Sequence, residues 1–280
     1  MNIIVPTDFS ECAYGAFRYA LAWAQQADAQ LHLFHAAALP QDWEDLPAVV
    51  RYRDEAHKAI ALAVRDKLRR WQHEAQAAGL KCELHYHGGD LLEGLKALVD
   101  NLSADLVTMG SQGASGKHRW FMGSNAQKVV RELRIPVLVV KEAPDKLDLS
   151  QVGFVSGLFA EDQPAFRRFL VMLQAFTVEQ VHVVTVKTEQ LFGPPSSVIL
   201  AALQDFVQLA EEAGYHCQTH YLSDLSVERG IRQFTETHQL GLLGISNHRR
   251  HPIKRFFQGS HVEMLVNQAG VPVLSVDYKD

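Results

Sequence analysis

Leu106-Val107-Thr108-Met109-Gly110-Ser111-Gln112-Gly113, nine residues, then Gly123-Ser124, and later Ile135-Pro136-Val137-Leu138-Val139-Val140, is the stretch from which the rest of the chain is read. A second copy begins 136 residues further on. It reads Leu242-Leu243-Gly244-Ile245-Ser246-Asn247-His248-Arg249, nine residues, Gly259-Ser260, and closes on Val271-Pro272-Val273-Leu274-Ser275-Val276. Apolar run, polar loop, helix start and second apolar run together describe a strand, a crossover helix and a parallel strand. The chain is a tandem duplication in which one copy kept its glycines and the other lost two.

The repeat extends beyond these loops. Ala16-Phe17-Arg18 recurs as Ala165-Phe166-Arg167, and Leu31-His32-Leu33 as Val181-His182-Val183. Lys81-Cys82-Glu83-Leu84-His85-Tyr86 recurs as His216-Cys217-Gln218-Thr219-His220-Tyr221. The offset moves from 149 to 150, falls to 135 and settles at 136, because the segment between the second and third strands is shorter in the second copy. A period this long marks duplicated domains, since solenoid repeats fall at roughly 20–50 residues. Two domains are expected, 1–144 and 145–280, divided within the charged, Pro-containing segment Lys141–Lys146.

Each half alternates short apolar runs with helical patterns. In the first, Ile3-Ile4-Val5 predicts a buried strand, and Ser10 is placed to cap a helix running to about Gln26. Leu31–Ala36 is the second strand. Val49, Tyr52, Ala56, Ala59, Ala63, Leu68, Trp71 and Ala75 predict one amphipathic helix over Pro47–Ala78, with Gly79 past its end. Cys82–His87 is the third strand, and Asp90-Leu91-Leu92-Glu93 resembles a capping box opening the next helix. Leu106–Met109 and Val137–Val140 complete five strands, with a helix from Ser124 between them. Right-handed crossovers then give a parallel sheet covered on both faces. If the strand order is 3-2-1-4-5, the loops after strands one and four flank the point where ligands bind such sheets.

Composition narrows the function. A net charge of −5 and a pI near 6.3 argue against a nucleic-acid protein. Cys12, Cys82 and Cys217 form no metal-type pair and suit a reducing compartment, the latter two as apolar filler on equivalent strands. The N-terminus has no basic leader pattern, and no apolar run approaches the about 18 residues of a membrane span. The expectation is a soluble cytoplasmic protein with neither membrane nor nucleic acid as partner.

The first-copy loop has the means to hold an anion. Gly110 and Gly113 let backbone approach a ligand and adopt positive φ, and Gly123-Ser124 opens a helix whose unpaired N–H groups suit phosphate. Lys117, His118 and Arg119 could add charge. The bland alternative is that Ser124-x-x-Gln127 and Ser260-x-x-Glu263 are only capping boxes. The stretch is no P-loop, because the first glycine is missing and His118 stands where Ser or Thr must hold magnesium. Among the 14 histidines the one His-x-x-x-His spacing, His216 to His220, falls on a strand pattern, where it sets the two too far apart to share an ion; His85 with His87 and His248 with His251 are weak pairs, and His32 and His182 read as packed or interfacial residues. No catalytic set can be assembled.

Gly110-x2-Gly113-x9-Gly123-Ser124, with Pro6-Thr7-Asp8 after the first strand and Phe34-His35-Ala36 in the second, resembles the universal stress protein family, in its tandem two-domain form and with a first domain of the ATP-binding branch. The resemblance implies two Rossmann-like 3-2-1-4-5 domains paired through their fifth strands. It also implies ATP across strands one and four and a stress-linked regulatory role. Carried over by position, Asp8 lies near the ribose or a divalent ion such as Mg, and Pro6 and Thr7 before it count among the cofactor-binding residues. Met109 and Gly110 line the nucleoside, and Gly113, Gly123, Ser124 and Asn125 meet the phosphates. In the second half Gly157 stands for Asp8, Ser246 for Gly110 and Arg249 for Gly113, so ATP binding is not expected there. The run His248-Arg249-Arg250-His251, with Lys254 and Arg255, is a basic patch open to an anionic ligand or acidic partner. A nucleotide-free interaction protein and a slow ATPase remain as alternatives, and association of whole chains stays open.

Overall fold

Alternating apolar residues in the first strand already dictate a layered structure. Ile3 and Val5 enter one buried cluster and Ile4 the other, so the strand is covered on both faces. A computed structural model describes the chain except residues 38, 41–45, 113–121, 142–145, 160–161, 188–194, 225, 248–254 and 278–280, and the side chains at 52, 53, 187 and 255–261. The first half comprises β1 (Asn2–Pro6), α1 (Glu11–Ala27), β2 (Gln30–Ala37), α2 (Ala48–Arg53), α3 (Glu55–Ala77), β3 (Cys82–Gly88), α4 (Leu91–Leu102), β4 (Leu106–Gly110), α5 (Ser124–Glu132) and β5 (Val137–Val140). The second comprises β6 (Gln151–Val155), α6 (Asp162–Met172), β7 (Gln180–Lys187), α7 (Ser196–Glu212), β8 (Cys217–Ser223), α8 (Val227–Thr237), β9 (Leu242–Ser246), α9 (Arg255–Gln268) and β10 (Val273–Val276).

The strands form one sheet in the order β3-β2-β1-β4-β5-β10-β9-β6-β7-β8. Each half is thus the expected 3-2-1-4-5 parallel array, and the halves join where β5 meets β10 antiparallel. The register puts Leu138 opposite Leu274, its own counterpart in the repeat. Gln127 and Glu263 are likewise counterparts, and the Gln127 Nε2 donates to Glu263 Oε1 across the seam at 2.6 Å. A residue that meets its own equivalent lies on a two-fold axis, so the halves are a pseudo-dimer with an isologous contact. Both buried clusters run through it. One holds Phe17, Trp23 and Leu68 with Phe166, Phe176 and Phe206, and the Trp23 and Phe176 rings meet edge-on at 4.5 Å. The other holds Leu95 and Val129 with Ile231 and Leu265.

Three local expectations are corrected. The single helix over Pro47–Ala78 is two, α2 and α3, broken at Asp54, whose φ of −91° and ψ of 85° are not helical. Its carboxylate caps the second helix by accepting from the His57 N–H at 3.2 Å and meets His57 Nδ1 at 2.6 Å. The break shifts the buried stripe. Leu68, Trp71 and Ala75 pack as expected, but Val49, Ala56, Ala59 and Ala63 are exposed, and Ala61 and Val64 pack in their place. Secondly, Ser124 does not cap α5. The helix begins at Ser124 as expected, but its N-cap is Gly123, whose N–H donates to Ser111 O at 2.7 Å, so Ser124 lies inside the first turn. Thirdly, Ser260 opens no helix, because α9 already begins at Arg255; the interior Gly259 costs only about 1 kcal/mol in helix propensity, too little to stop it. Past the expected boundary, Leu147 and Leu149 are buried and belong to the shared core.

Candidate functional site

The strand order reverses between β1 and β4, parallel neighbours from which the chain continues outward to β2 on one side and to β5 on the other. Ile3 pairs with Leu106 and Ile4 with Val107, and continuing that register sets Pro6 beside Met109. Both residues are buried, Met109 among the apolar side chains of its layer. Thr7 is buried as well; its N–H donates to Phe34 O at 2.8 Å and its hydroxyl accepts from the Phe9 N–H at 2.9 Å. Phe9 turns with φ at +63°. His35 Nδ1 meets Thr7 O at 2.7 Å, and burial lowers the pKa of that ring, so it donates as a neutral imidazole. The Phe9 ring packs on His35 and Trp71, with Lys67 Nζ 5.0 Å from its centre. These contacts hold Asp8 at the exposed tip, where its Oδ1 accepts from the Ser10 N–H at 3.0 Å. Ser10 then caps α1 by accepting from the Ala13 N–H.

Across from this loop lies the glycine motif. Gly110 carries no positive φ, contrary to the expectation for it, and its lack of a side chain has another cause. A Cβ there would lie 2.9 Å from the carbonyl carbon and oxygen of Cys12 and 3.0 Å from the Ala13 nitrogen. The first turn of α1 therefore packs directly on the end of β4. Ser111 follows, buried, its N–H donating to Val140 O at 2.9 Å. Gly123 is tied to Ser111 O, which sets the start of α5 beside β4. The first bond of this helix runs from the Gln127 N–H to Gly123 O, so the amides of Ser124, Asn125 and Ala126 precede it. Ser124 and Asn125 are exposed. The structure thus gathers Pro6, Thr7, Asp8, Met109, Gly110, Gly123, Ser124 and Asn125 around the ends of β1 and β4. Gly113, Lys117, His118 and Arg119 lie outside the described residues.

The second half repeats the scaffold and fills it. Ser156 accepts from the Leu158 N–H at 2.9 Å, and Leu158 has φ at +59°, the same turn as Thr7 to Phe9. Where Asp8 presents a carboxylate stands Gly157, and a Cβ there would meet the Phe159 ring at 2.5 Å. The ring occupies the space of the missing side chain. Asp162 is buried beneath, accepting from Ser156 Oγ at 2.8 Å and from the Phe159 N–H at 3.1 Å. Ser246, in the place of Gly110, is buried too, and its hydroxyl has no hydrogen-bond partner among the described residues. Arg249 and the rest of the basic run from His248 to Lys254 lie outside the described residues, as does the side chain of Arg255.

Reading the strand histidines one at a time missed that they pair. His32 Nδ1 stands 3.0 Å from His85 Nε2, and His182 Nδ1 stands 3.0 Å from His220 Nε2. The signal was present, because all four recur at matching places in the repeat and each pair lies on neighbouring strands. Cys82 and Cys217 behave as expected of apolar filler, with burial pushing both thiols up to about 12.

The Universal stress protein family profile matches residues 1–141. The Universal stress protein Sll1388 of Synechocystis is 28% identical over 151 residues, which span 50% of this chain and 97% of that protein. The solved universal stress protein from Archaeoglobus fulgidus DSM 4304 covers 99% of this chain and 98% of its own, with 18% identity and a TM-score of 0.75, a likeness of fold extending over both halves. A universal stress protein solved in complex with cAMP is 30% identical and covers 51% of this chain and 97% of its own, with a TM-score of 0.41. Among the described residues, no helix is long and apolar enough to cross a membrane.

Proposed function

Since the chain belongs to the universal stress protein family, we propose that it is a nucleotide-binding regulator whose first half, residues 1–144, holds one ATP at the β1 and β4 ends. In this reading the second half, residues 145–280, has no ATP site and serves as its structural partner. The observation that carries it is the contrast between two copies of one scaffold. In the first, an exposed carboxylate at Asp8 faces the same strand ends as the exposed first turn of α5. In the second, Gly157 removes that carboxylate and the Phe159 ring fills its place.

The assignment of parts follows from charge. The amides of Ser124, Asn125 and Ala126, at the positive end of a helix dipole, suit phosphate oxygens. Asp8 would accept from a ribose hydroxyl or bind a divalent ion, such as Mg, carried by the phosphates. Gly113, by its place in the motif, leaves room for phosphate that a Cβ would take. Among the described residues at these strand ends no nucleophile is paired with a general base, and binding rather than turnover is the proposed activity. ATP would act by shifting the population of the segment between Gly113 and Gly123, which another protein then reads.

Titration calorimetry of the full chain with ATP and Mg should give one salt-resistant site. Gly113→Val should abolish it, leaving no residual site in the second half. Equal affinity in Gly113→Val and the parent would overturn the cradle, and a second stoichiometric site would overturn the assignment of the second half.

A further inference from the structure

On the outer strands of the first half, β2 and β3 pair so that His32 lies opposite Glu83 and Phe34 opposite His85. Glu83 and His85 are two residues apart, so both project to the same face of the sheet as His32. His32 Nδ1 is 3.0 Å from His85 Nε2, and one carboxylate oxygen, Glu83 Oε2, is 3.7 Å from the first nitrogen and 3.8 Å from the second. Among the described residues this is the one group of three or more His, Cys, Asp and Glu side chains whose ligand atoms all lie within 4.8 Å of one another.

We infer that His32, Glu83 and His85 bind a single divalent transition-metal ion, zinc or a zinc-like ion, which clips the outermost strand β3 to β2. With metal–nitrogen and metal–oxygen bonds of about 2.0–2.2 Å, the ligand atoms on one face of a tetrahedron stand about 3.3–3.5 Å apart. The observed triangle departs from that by no more than about half an ångström on any edge, which side-chain rotation alone can absorb. Two imidazoles and one carboxylate are a zinc donor set, and the fourth position opens to water because Glu83 is 57% exposed while His32 is 2% exposed.

The surroundings orient the ligands. Asn2 Oδ1 lies 3.4 Å from His32 Nε2, and Asn2 is itself anchored through its Nδ2, which donates to Leu102 O at 3.0 Å. That contact draws the His32 proton to Nε2 and leaves the Nδ1 lone pair facing the other two ligands. Gln30 Nε2 donates to Glu83 Oε1 at 2.8 Å, which leaves Oε2 as the atom turned to the histidines. Burial lowers the pKa of both imidazoles, so both are neutral and able to coordinate near pH 7. Asn2 opens β1, whereas the proposed nucleotide loop follows its other end, so the two sites are separate.

The second half supplies the comparison. His182 and His220 repeat the pair at 3.0 Å, and Gln151 Oε1 repeats the Asn2 contact at 3.0 Å. Gln218, however, stands where Glu83 does, so the anionic ligand is gone. His238 packs there instead, its ring 4.6 Å from His182 and 4.8 Å from His220, centre to centre. A histidine hydrogen bond alone would need no carboxylate in either copy.

The test uses the full chain, stripped with a chelator and free of nucleotide, titrated with Co(II) and then with Zn(II) as competitor. One equivalent of Co(II) should give the visible absorption of a low-symmetry four- or five-coordinate site, bleached by zinc. Zinc should also raise the Tm of the parent protein. His85→Ala and, separately, Glu83→Gln should each weaken binding roughly tenfold or more and remove the Tm shift, while His220→Ala retains both. Glu83→Gln changes an exposed residue and keeps the test open if His85→Ala fails to fold by circular dichroism. Binding unchanged in Glu83→Gln, or lost equally in His220→Ala, would overturn the assignment.

Discussion

Gly110→Ala separates a glycine kept for a ligand from one kept for packing. The added methyl group would sit 2.9 Å from two backbone atoms of Cys12 and 3.0 Å from a third in Ala13, where ordinary contact begins at 3.4 Å. Because the obstacle is backbone, no rotamer change relieves it. The first turn of α1 must move by about half an ångström, and it is held by the Ser10 cap, by Ala13 and Ala16 in the core and by Cys12 against β5. Overpacking of this kind costs about 1–3 kcal/mol. In a chain of this size each kcal/mol lowers Tm by roughly 2–4 °C. Urea unfolding of nucleotide-free protein should therefore show a lower midpoint at an unchanged slope. ATP binding should weaken as well, since Asp8 sits just before the displaced turn. If Gly110→Ala unfolds with the parent's midpoint yet loses ATP binding, the packing argument is wrong and the glycine serves the ligand alone.

Ser246→Ala, the same comparison in the second half, removes a buried hydroxyl without a partner among the described residues, and is expected to leave stability unchanged or raise it by up to about 1 kcal/mol; a loss greater than that in urea unfolding would show a hydrogen bond at this position. Leu274→Ala should cost about 2–5 kcal/mol and lower one common transition, because Leu274 is fully buried on the pseudo-two-fold in a core shared by both halves; two well-separated calorimetric transitions in the parent would contradict the shared core. Acidification should destabilise the chain. Burial holds His32, His35, His85, His182 and His220 below their ordinary 6.5, with His182 at about 4. The unfolded chain therefore binds more protons as pH falls from about 6.5 towards 4, and the lost stability accumulates over that window. A urea midpoint independent of pH between 7 and 4.5 would refute the burial of these rings.

Periodicity and repetition were enough to read the strands, the duplication and a parallel sheet in each half, whereas the 3-2-1-4-5 order and the pairing of β5 with β10 came from the resemblance to the family. The strands and the parallel sheet follow from local rules: apolar runs form buried strands and crossovers are right-handed, and an apolar fifth strand is an edge that suits a partner. Helix starts were less legible, because a cap competes with whatever else can hold the backbone. Asp54 splits a helix through its own side chain, and Ser111 O claims the Gly123 N–H and displaces Ser124 from the capping position. The motif glycines, Ser124 and Asp8 stood out from their spacing and placement, while Pro6, Thr7, Met109 and Asn125 were named through the resemblance to the family. What Gly110 is for could not be read in either way, since the turn of α1 that it admits lies 98 residues earlier in the chain and is brought there only by the sheet. The same holds for the histidines. His32 and His85 are unremarkable on separate strands 53 residues apart. Only the β2–β3 register sets them 3.0 Å from each other with Glu83 beside them, and register is a property of the packed sheet, absent from either strand alone.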